Sequence, residues 1–239
     1  MRMAVAGGTG WVGKLVVAEA RRRGHEVAVI SRSHGVDLTT GAGLDDALRG
    51  SDVVIDVTNI ETLSGKTATE FFETETQTLL AAETKAGVRH HVVLSIVGVD
   101  RVGTGYYTAK RRQEELALAG PIPATVLRAT QFYEFAEQML GRVPGPVKLA
   151  PSMLTRPVAA ADVAAELVGL AEGPAQGHAR DLAGPEVLKM PDMMRRLAKG
   201  KLVLTVPAGK AMASGGLLPA GEFTSGKITF EQWAAARAG

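Results

Sequence analysis

The chain has 239 residues, with 27 basic against 25 acidic and no cysteine. That length suits one or two globular domains that bury a core without disulfide or metal staples. A formal net charge of +2 makes no electrostatic case for nucleic acid, and the lack of cysteine excludes disulfides, thiolate catalysis and cysteine-based zinc sites. The first residues run straight into a short apolar segment and glycines, without the apolar stretch and cleavage site of a signal peptide. No apolar run reaches the length of a membrane span. The expectation is a cytoplasmic protein whose partners are a small molecule and at most a second copy of itself, with neither nucleic acid nor membrane.

In chain order, residues 3–6 read as a strand, 10–23 as a helix and 26–31 as a second strand. A short third strand over 36–38 is followed by a helix over 44–49 and a strand over 52–57. A long helix over 67–86, a strand over 91–97, a helix over 106–119 and a strand over 124–128 complete the regular half. Gly24, Gly50, Gly87 and Gly120 each stand just past a helix, where a left-handed residue ends it. The strands are continuously apolar and rich in Val and Ile, as in a parallel sheet covered on both faces. Strand–helix alternation of this kind predicts a doubly wound α/β fold. Beyond residue 130 the pattern loosens. Helices are predicted over 159–171, 190–199 and 230–238, and strands over 180–182 and 202–206.

The most specific motif is Gly7-Gly8-Thr9-Gly10-Trp11-Val12-Gly13, between the first strand and the first helix. That context is the one a dinucleotide loop requires. Gly7 permits the tight turn, Gly10 lets the backbone approach a pyrophosphate, and Gly13 allows close helix packing. The backbone of Gly7, Thr9, Gly10, Trp11, Val12 and Gly13 would then hold the pyrophosphate at the positive end of the helix. A plain glycine-rich turn is the alternative, and the βαβ series around the motif argues against it. The architecture implied is one Rossmann NAD(P)-binding domain, with a core over about 1–130 plus 155–185. A small C-terminal substrate lobe is expected from about 131–154 and 186–239.

The second strand ends without the acid that would accept from a ribose 2′-hydroxyl; Ser31, Arg32 and Ser33 stand there instead. A guanidinium grips a 2′-phosphate with paired, charge-assisted bonds, so the cofactor expected is NADP, NADPH rather than NADH, with Arg32 as phosphate ligand and Ser31 beside it. Asp37 is a candidate acceptor for the adenine amino group. Thr58 and Asn59, past the DVVIDV strand, should line the crevice with their backbone.

Tyr106-Tyr107-Thr108-Ala109-Lys110 contains a Tyr-x-x-x-Lys spacing that opens a helix. Positions four apart share a helix face, so Tyr106 and Lys110 can converge on one pocket. A nearby ammonium would lower the phenol's ordinary pKa and let Tyr106 exchange a proton with a substrate oxygen. Lys110 would also hold the nicotinamide ribose, and Ser95, at the end of its strand, would hydrogen-bond the reacting oxygen. Tyr107 and Lys110 also share a face, which leaves the choice between Tyr106 and Tyr107 open.

The Gly-x-x-Gly-x-x-Gly spacing resembles the extended and atypical branches of the short-chain dehydrogenase/reductase superfamily, and the Ser, Tyr and Lys set resembles that superfamily's active site. Four further segments resemble the NmrA-like atypical reductases across nearly the whole chain. They are Val92-Val-Leu-Ser95-Ile-Val-Gly98, Tyr106-Tyr-Thr-Ala-Lys110, Leu127-Arg-Ala-Thr-Gln131-Phe132-Tyr-Glu-Phe135 and Val158-Ala-Ala-Ala-Asp162-Val-Ala. The usual proline after the Arg of the sixth strand is Ala129 here. The resemblance implies that Gln131 and Phe132 approach the nicotinamide and substrate. Phe132, Tyr133 and Phe135 form the densest aromatic group and are candidate substrate walls, with some of the three expected in the core. The function implied is NADP(H)-dependent reduction of a small carbonyl or quinone by hydride transfer. A non-catalytic NADP(H)-binding redox sensor is the alternative, and a nucleotide-sugar epimerase the third reading.

Other residues read as structural, and no metal site is expected. His90 and His91 are neighbours on a strand and point to opposite faces, so a strand-entry role fits them. Glu70, Glu73 and Glu75 read as the solvated face of the long helix, and Met190, Met193 and Met194 as core filler, with the lining of an adaptable substrate pocket as the alternative.

Overall fold

The computed structural model describes residues 1–103, 105–142 and 144–237. The chain forms two compact units. One comprises Met1–Ser95, Gly103–Arg128 and Ala164–Ala179; the other comprises Ile96–Val102, Ala129–Val163 and Arg180–Gly239.

In the first unit, β1 (Arg2–Ala6), α1 (Trp11–Arg22), β2 (Glu26–Ile30), α2 (Leu44–Leu48) and β3 (Val53–Asp56) follow one another. They are succeeded by α3 (Gly65–Ala86), β4 (His90–Ile96), α4 (Gly105–Ala119) and β5 (Ala124–Ala129). The strands lie in the order β2-β1-β3-β4-β5. Val5 pairs with Val29 on one side and Ile55 on the other, in parallel register. Strand order therefore reverses at β1, and the ligand crevice of such a sheet opens past the carboxyl ends of β1 and β3. Met3 to Ala6 and Val54 to Ile55 are wholly buried, which is why these strands are apolar without alternation. This is the α/β Rossmann fold with its parallel sheet.

The helix α3 turns Ala68, Phe72, Thr76, Leu79, Leu80 and Glu83 inward. Gly87 ends it at φ 75°, donating its N–H to Glu83 O and Thr84 O. α3 and α4 approach so closely that a Cβ on Gly65 would lie 2.7 Å from Gly105 Cα. Two polar pairs sit in this core. His91 Nδ1 meets the Glu83 carboxylate at 2.8 Å, and His90 Nε2 meets Thr125 Oγ1 at 2.8 Å. Burial pushes the Glu83 carboxyl up. Burial pulls His91 down, but the charge and hydrogen bond of Glu83 outweigh it and leave the imidazole raised.

The strand expected over 36–38 is absent. The Asp37 N–H goes to Ala42 O and its Oδ1 accepts the Thr39 N–H at 2.8 Å, closing a turn. Val36 and Leu38 instead fill the cluster around Leu44 and Leu48.

The rest of the chain forms α5 (Tyr133–Arg142), β6 (Val147–Pro151), β7 (Leu154–Thr155), α6 (Ala160–Glu172), β8 (Gly177–His178) and β9 (Asp181–Ala183). β10 (Leu188–Lys189), α7 (Met190–Leu197), β11 (Leu202–Val206), α8 (Lys210–Ala213), β12 (Phe223–Ser225) and α9 (Phe230–Ala236) follow. β8 lies beside β5 in the first unit. In the second unit, Ala129 pairs with Leu182 of β9, and β9 with β12. β6 with β11 and β7 with β10 make two small ribbons. The core of this unit joins Tyr133, Phe230 and Trp233, with ring centroids 5.5 to 5.7 Å apart. Met190, Met193 and Met194 are buried too. Trp233 Nε1–H donates to Glu134 Oε1 at 2.8 Å, and Thr229 and Gln232 form a capping box that opens α9. Among the described residues, no helix is long and apolar enough to cross a membrane.

Candidate functional site

The glycine loop leaves β1 and enters α1 with no side chain in the way. Gly7 has φ 76°, and a Cβ there would come 3.0 Å from Val57 O. Gly10 is the N-cap, and its N–H closes the turn onto Gly7 O at 2.9 Å. A Cβ on Gly13 would lie 2.1 Å from Gly7 O, so the first turn of α1 rests directly on the loop. Helix geometry leaves first-turn N–H groups without intrahelical acceptors, no acidic residue stands in that turn, and Gly10 offers no side-chain cap. Thr9 and Val12 are half-buried at this end and Trp11 is exposed. Substituting Gly13→Ala drives a methyl into backbone. Affinity for an NAD(P)H dinucleotide is expected to fall at least about tenfold, the equivalent of one charge-assisted bond. Calorimetric titration reads this directly, and an unchanged Kd would place the phosphates elsewhere.

Past β2, Arg32 is exposed and opens a 3₁₀ turn over Arg32–His34. Ser31 Oγ lies 3.1 Å from Ser33 Oγ and 3.0 Å from His34 Nδ1, so two hydroxyls and an imidazole gather beside the guanidinium's residue. Asp37, the candidate adenine acceptor, spends Oδ1 on the Thr39 N–H. Glu75 departs from the solvated face expected for it. It is half-buried, and its Oε2 is buried without a hydrogen-bond partner. Burial pushes its carboxyl up to about 8; the Asp56 and Asp37 carboxylates add to that and the Arg32 charge opposes it.

The Tyr-x-x-x-Lys pair is brought to one helix, yet the two groups face different partners. The Tyr106 hydroxyl donates to Asn59 Oδ1 at 2.5 Å, and its ring lies edge-on to Phe72, centroids 6.0 Å apart. The expected lowering of the phenol by Lys110 is not found. Burial, then Tyr107, hold the Tyr106 phenol above its ordinary value. The reason is where Lys110 points. Its Nζ donates to Leu94 O at 2.7 Å and to Gln113 Oε1, and lies 4.7 Å from the centroid of the Phe72 ring. Burial pulls this ammonium down to about 8, while the Asp56 and Glu114 carboxylates act in the opposite direction.

Two hydroxyls stand ready at the strand ends. Ser95 Oγ on β4 and Thr58 Oγ1 past β3 are both buried and without a hydrogen-bond partner. The Thr58 N–H donates to Asp56 Oδ1 at 2.8 Å. A helix start without a side-chain cap, the glycine turn before it and these two hydroxyls fit an NAD(P)H dinucleotide.

The second unit holds the remaining expected residues. The Gln131 side-chain oxygen accepts from the Thr155 hydroxyl, and Phe132 bridges to Val158. Tyr133 is fully buried, with its hydroxyl donating to Ile228 O at 3.0 Å, so its ring is core and not an open substrate wall. Phe132 and Phe135 remain half-buried.

Asp56 and Gln113 went unremarked in the sequence, although each left a signal. Asp56 is an acid ending an otherwise apolar strand, and Gln113 is one turn from Lys110.

A family model described as NAD(P)H-binding matches residues 34–174, more than half of the chain. The (4-alkanoyl-5-oxo-2,5-dihydrofuran-3-yl)methyl phosphate reductase of Streptomyces griseus subsp. griseus is 31% identical over 219 residues, which cover 82% of this chain and 72% of that protein. Among solved structures, a short-chain dehydrogenase/reductase superfamily protein from Agrobacterium tumefaciens with bound NAD matches at a TM-score of 0.74 and 17% identity, covering 100% of this chain and 96% of that one. An NADPH-dependent quinone oxidoreductase from Escherichia coli matches at a TM-score of 0.70 and 15% identity, covering 99% and 100%. At such identities the structural likeness speaks for the fold.

Proposed function

The chain belongs to the NAD(P)H-binding family, and from that premise we propose that it is a short-chain dehydrogenase/reductase-like, NADPH-dependent reductase of a small conjugated carbonyl compound. Within the family we place it with the NmrA-like reductases, on the four segments that resemble them. The acceptor class is a quinone or an unsaturated lactone, since the two reductases it resembles are named for substrates of those kinds.

The observation that carries the reading is Ser95. A buried hydroxyl without a partner costs about 1–3 kcal/mol, and a substrate oxygen would remove that cost. Bound NADPH would supply the hydride. Ser95 would donate to the acceptor oxygen and hold it as negative charge builds there. Tyr106 is protonated at neutral pH and so holds a proton to give, although burial makes its phenol a weaker acid than a free one. It would leave Asn59 to do so. Phe72 keeps the ring of Tyr106 in place and excludes water from that side. Incubation with NADPH deuterated on its nicotinamide ring tests the reading. With an unsaturated lactone as acceptor and both nicotinamide C4 hydrogens replaced, deuterium is expected on a carbon of the reduced product, and product without the label would sink hydride transfer.

The NADPH preference rests on Arg32, with Ser31, Ser33 and His34 beside it. Arg32→Ala is expected to weaken NADPH about 10-fold or more and leave NADH unchanged. Equal loss for both cofactors would remove the 2′-phosphate from Arg32.

One observation favours the second reading, a redox sensor. The Tyr106 hydroxyl and the Lys110 ammonium are both engaged with internal acceptors, so the proton donor is not presented. Tight NADPH binding without turnover of any acceptor would select the sensor.

A further inference from the structure

We propose that Gln113 is a positioning residue of this site: its side-chain amide joins Lys110 to Asp56, and so ties the end of β4 to the end of β3. The proposal rests on the reductase reading for the role of Lys110, though not for the existence of the network.

Lys110, Gln113 and Asp56 are 5%, 1% and 1% exposed. An ammonium offers only donors and a carboxylate only acceptors. An amide between them satisfies both in one orientation, with Oε1 towards Lys110 Nζ and Nε2–H donating to Asp56 Oδ2 at 2.9 Å. The other Asp56 oxygen accepts the Thr58 N–H at 2.8 Å. On the far side, Lys110 donates to Leu94 O at 2.7 Å, the residue before Ser95. One unbroken chain of bonds therefore runs from Leu94 through Lys110, Gln113 and Asp56 to Thr58. Its two ends lie at Leu94, next to Ser95, and at Thr58; the Ser95 and Thr58 hydroxyls are two of the four buried ones that lack partners among the described residues.

The amide also does what a direct ion pair would not. It carries the field of Asp56 to a buried lysine, which helps it keep its proton, without pinning the ammonium to a carboxylate. Lys110 stays able to exchange Gln113 for a ribose hydroxyl. A methionine at 113 fills the space but offers neither bond. It strands a buried charge at each end, the more costly kind of loss. A glutamate keeps the acceptor for Lys110 and turns a second carboxylate on Asp56, which loosens Thr58 by like-charge repulsion.

The test uses the full-length protein labelled with ¹³C-lysine. NMR titration of the Lys110 side chain is compared in wild type, Gln113→Met and Gln113→Glu, alongside fluorescence titration with NADPH. The Lys110 pKa is expected to fall in Gln113→Met and rise in Gln113→Glu. NADPH affinity is expected to drop about 10- to 100-fold in both, the range for hydrogen bonds to charged groups. Gln113→Glu, close to isosteric, decides the matter if Gln113→Met does not fold. An unmoved Lys110 titration, or an unchanged NADPH affinity, overturns the proposal. Neither readout needs an acceptor, so a wild type without turnover sinks the reductase reading alone. A wild type with turnover and indifferent Gln113 variants sinks the positioning role alone.

Discussion

Tyr106→Phe is expected to lower kcat in the reductive direction by about 10²- to 10⁴-fold, the range for a lost general acid, with NADPH affinity little changed. The variant removes one oxygen and keeps the ring. The ring's packing on Phe72 and within the cluster of Ala68, Phe72 and Ala109 is therefore retained. The lost bond is to Asn59 Oδ1, which is exposed and can turn to water, so stability should hardly move. Because burial keeps the phenol protonated, wild-type rates should not fall from phenol ionisation at mildly alkaline pH. Steady-state rates across pH, with a binding titration of NADPH, check both parts. A Phe variant as fast as wild type would move the proton donor elsewhere, with Tyr107 next in line.

Glu83→Leu is expected to cost about 3–5 kcal/mol of stability, because it removes one partner of a buried pair and keeps the other. Glu83 and His91 are both wholly buried, and His91 Nε2 already lacks a partner. In wild type both pKa values are raised. The contribution of each group is thus present below its unfolded value, near 4.5 and 6.5, and is lost as pH rises through the folded value. In Glu83→Leu, burial, the largest influence on His91, pushes it down against the smaller opposing charge of Asp56. Its contribution then reverses and stability is lost on acidification below about 6.5. The gap between variant and wild type should therefore narrow as pH rises from 5 to 8. Glu83→Gln retains an acceptor for the imidazole and should cost less. Urea denaturation at several pH values decides this, and a gap that widens with pH would contradict the assigned sign.

The first half of the chain is legible because its signals are local. Runs such as Val53-Val-Ile-Asp56 must be buried on both faces, and Gly87 is the residue that ends α3 in the left-handed region. The glycine loop is legible for the same reason. What the sequence hides depends on distant partners. Val36 to Leu38 has a strand-like composition, but the carboxylate of Asp37 accepts the Thr39 N–H two residues on and closes a turn. Glu75 shares a helix with exposed acids, yet the tertiary fold sets it among the charges of Asp56, Arg32 and Asp37. The spacing of Tyr106 and Lys110 puts both on one helix. It does not show that Phe72 and Gln113 turn the ammonium away from the phenol. Tyr133 reads as a wall within an aromatic run, and only its packing with Phe230 and Trp233 makes it core. The short elements β6, β7, β10 and α8 lie among prolines and glycines and are too brief to show a period.

The most direct measurement is the initial rate of NADPH oxidation by wild type over a panel of quinones and unsaturated lactones, with NADH run in parallel. The account predicts turnover of at least one member and faster oxidation of NADPH than of NADH. No turnover with any acceptor, or a preference for NADH, would contradict it.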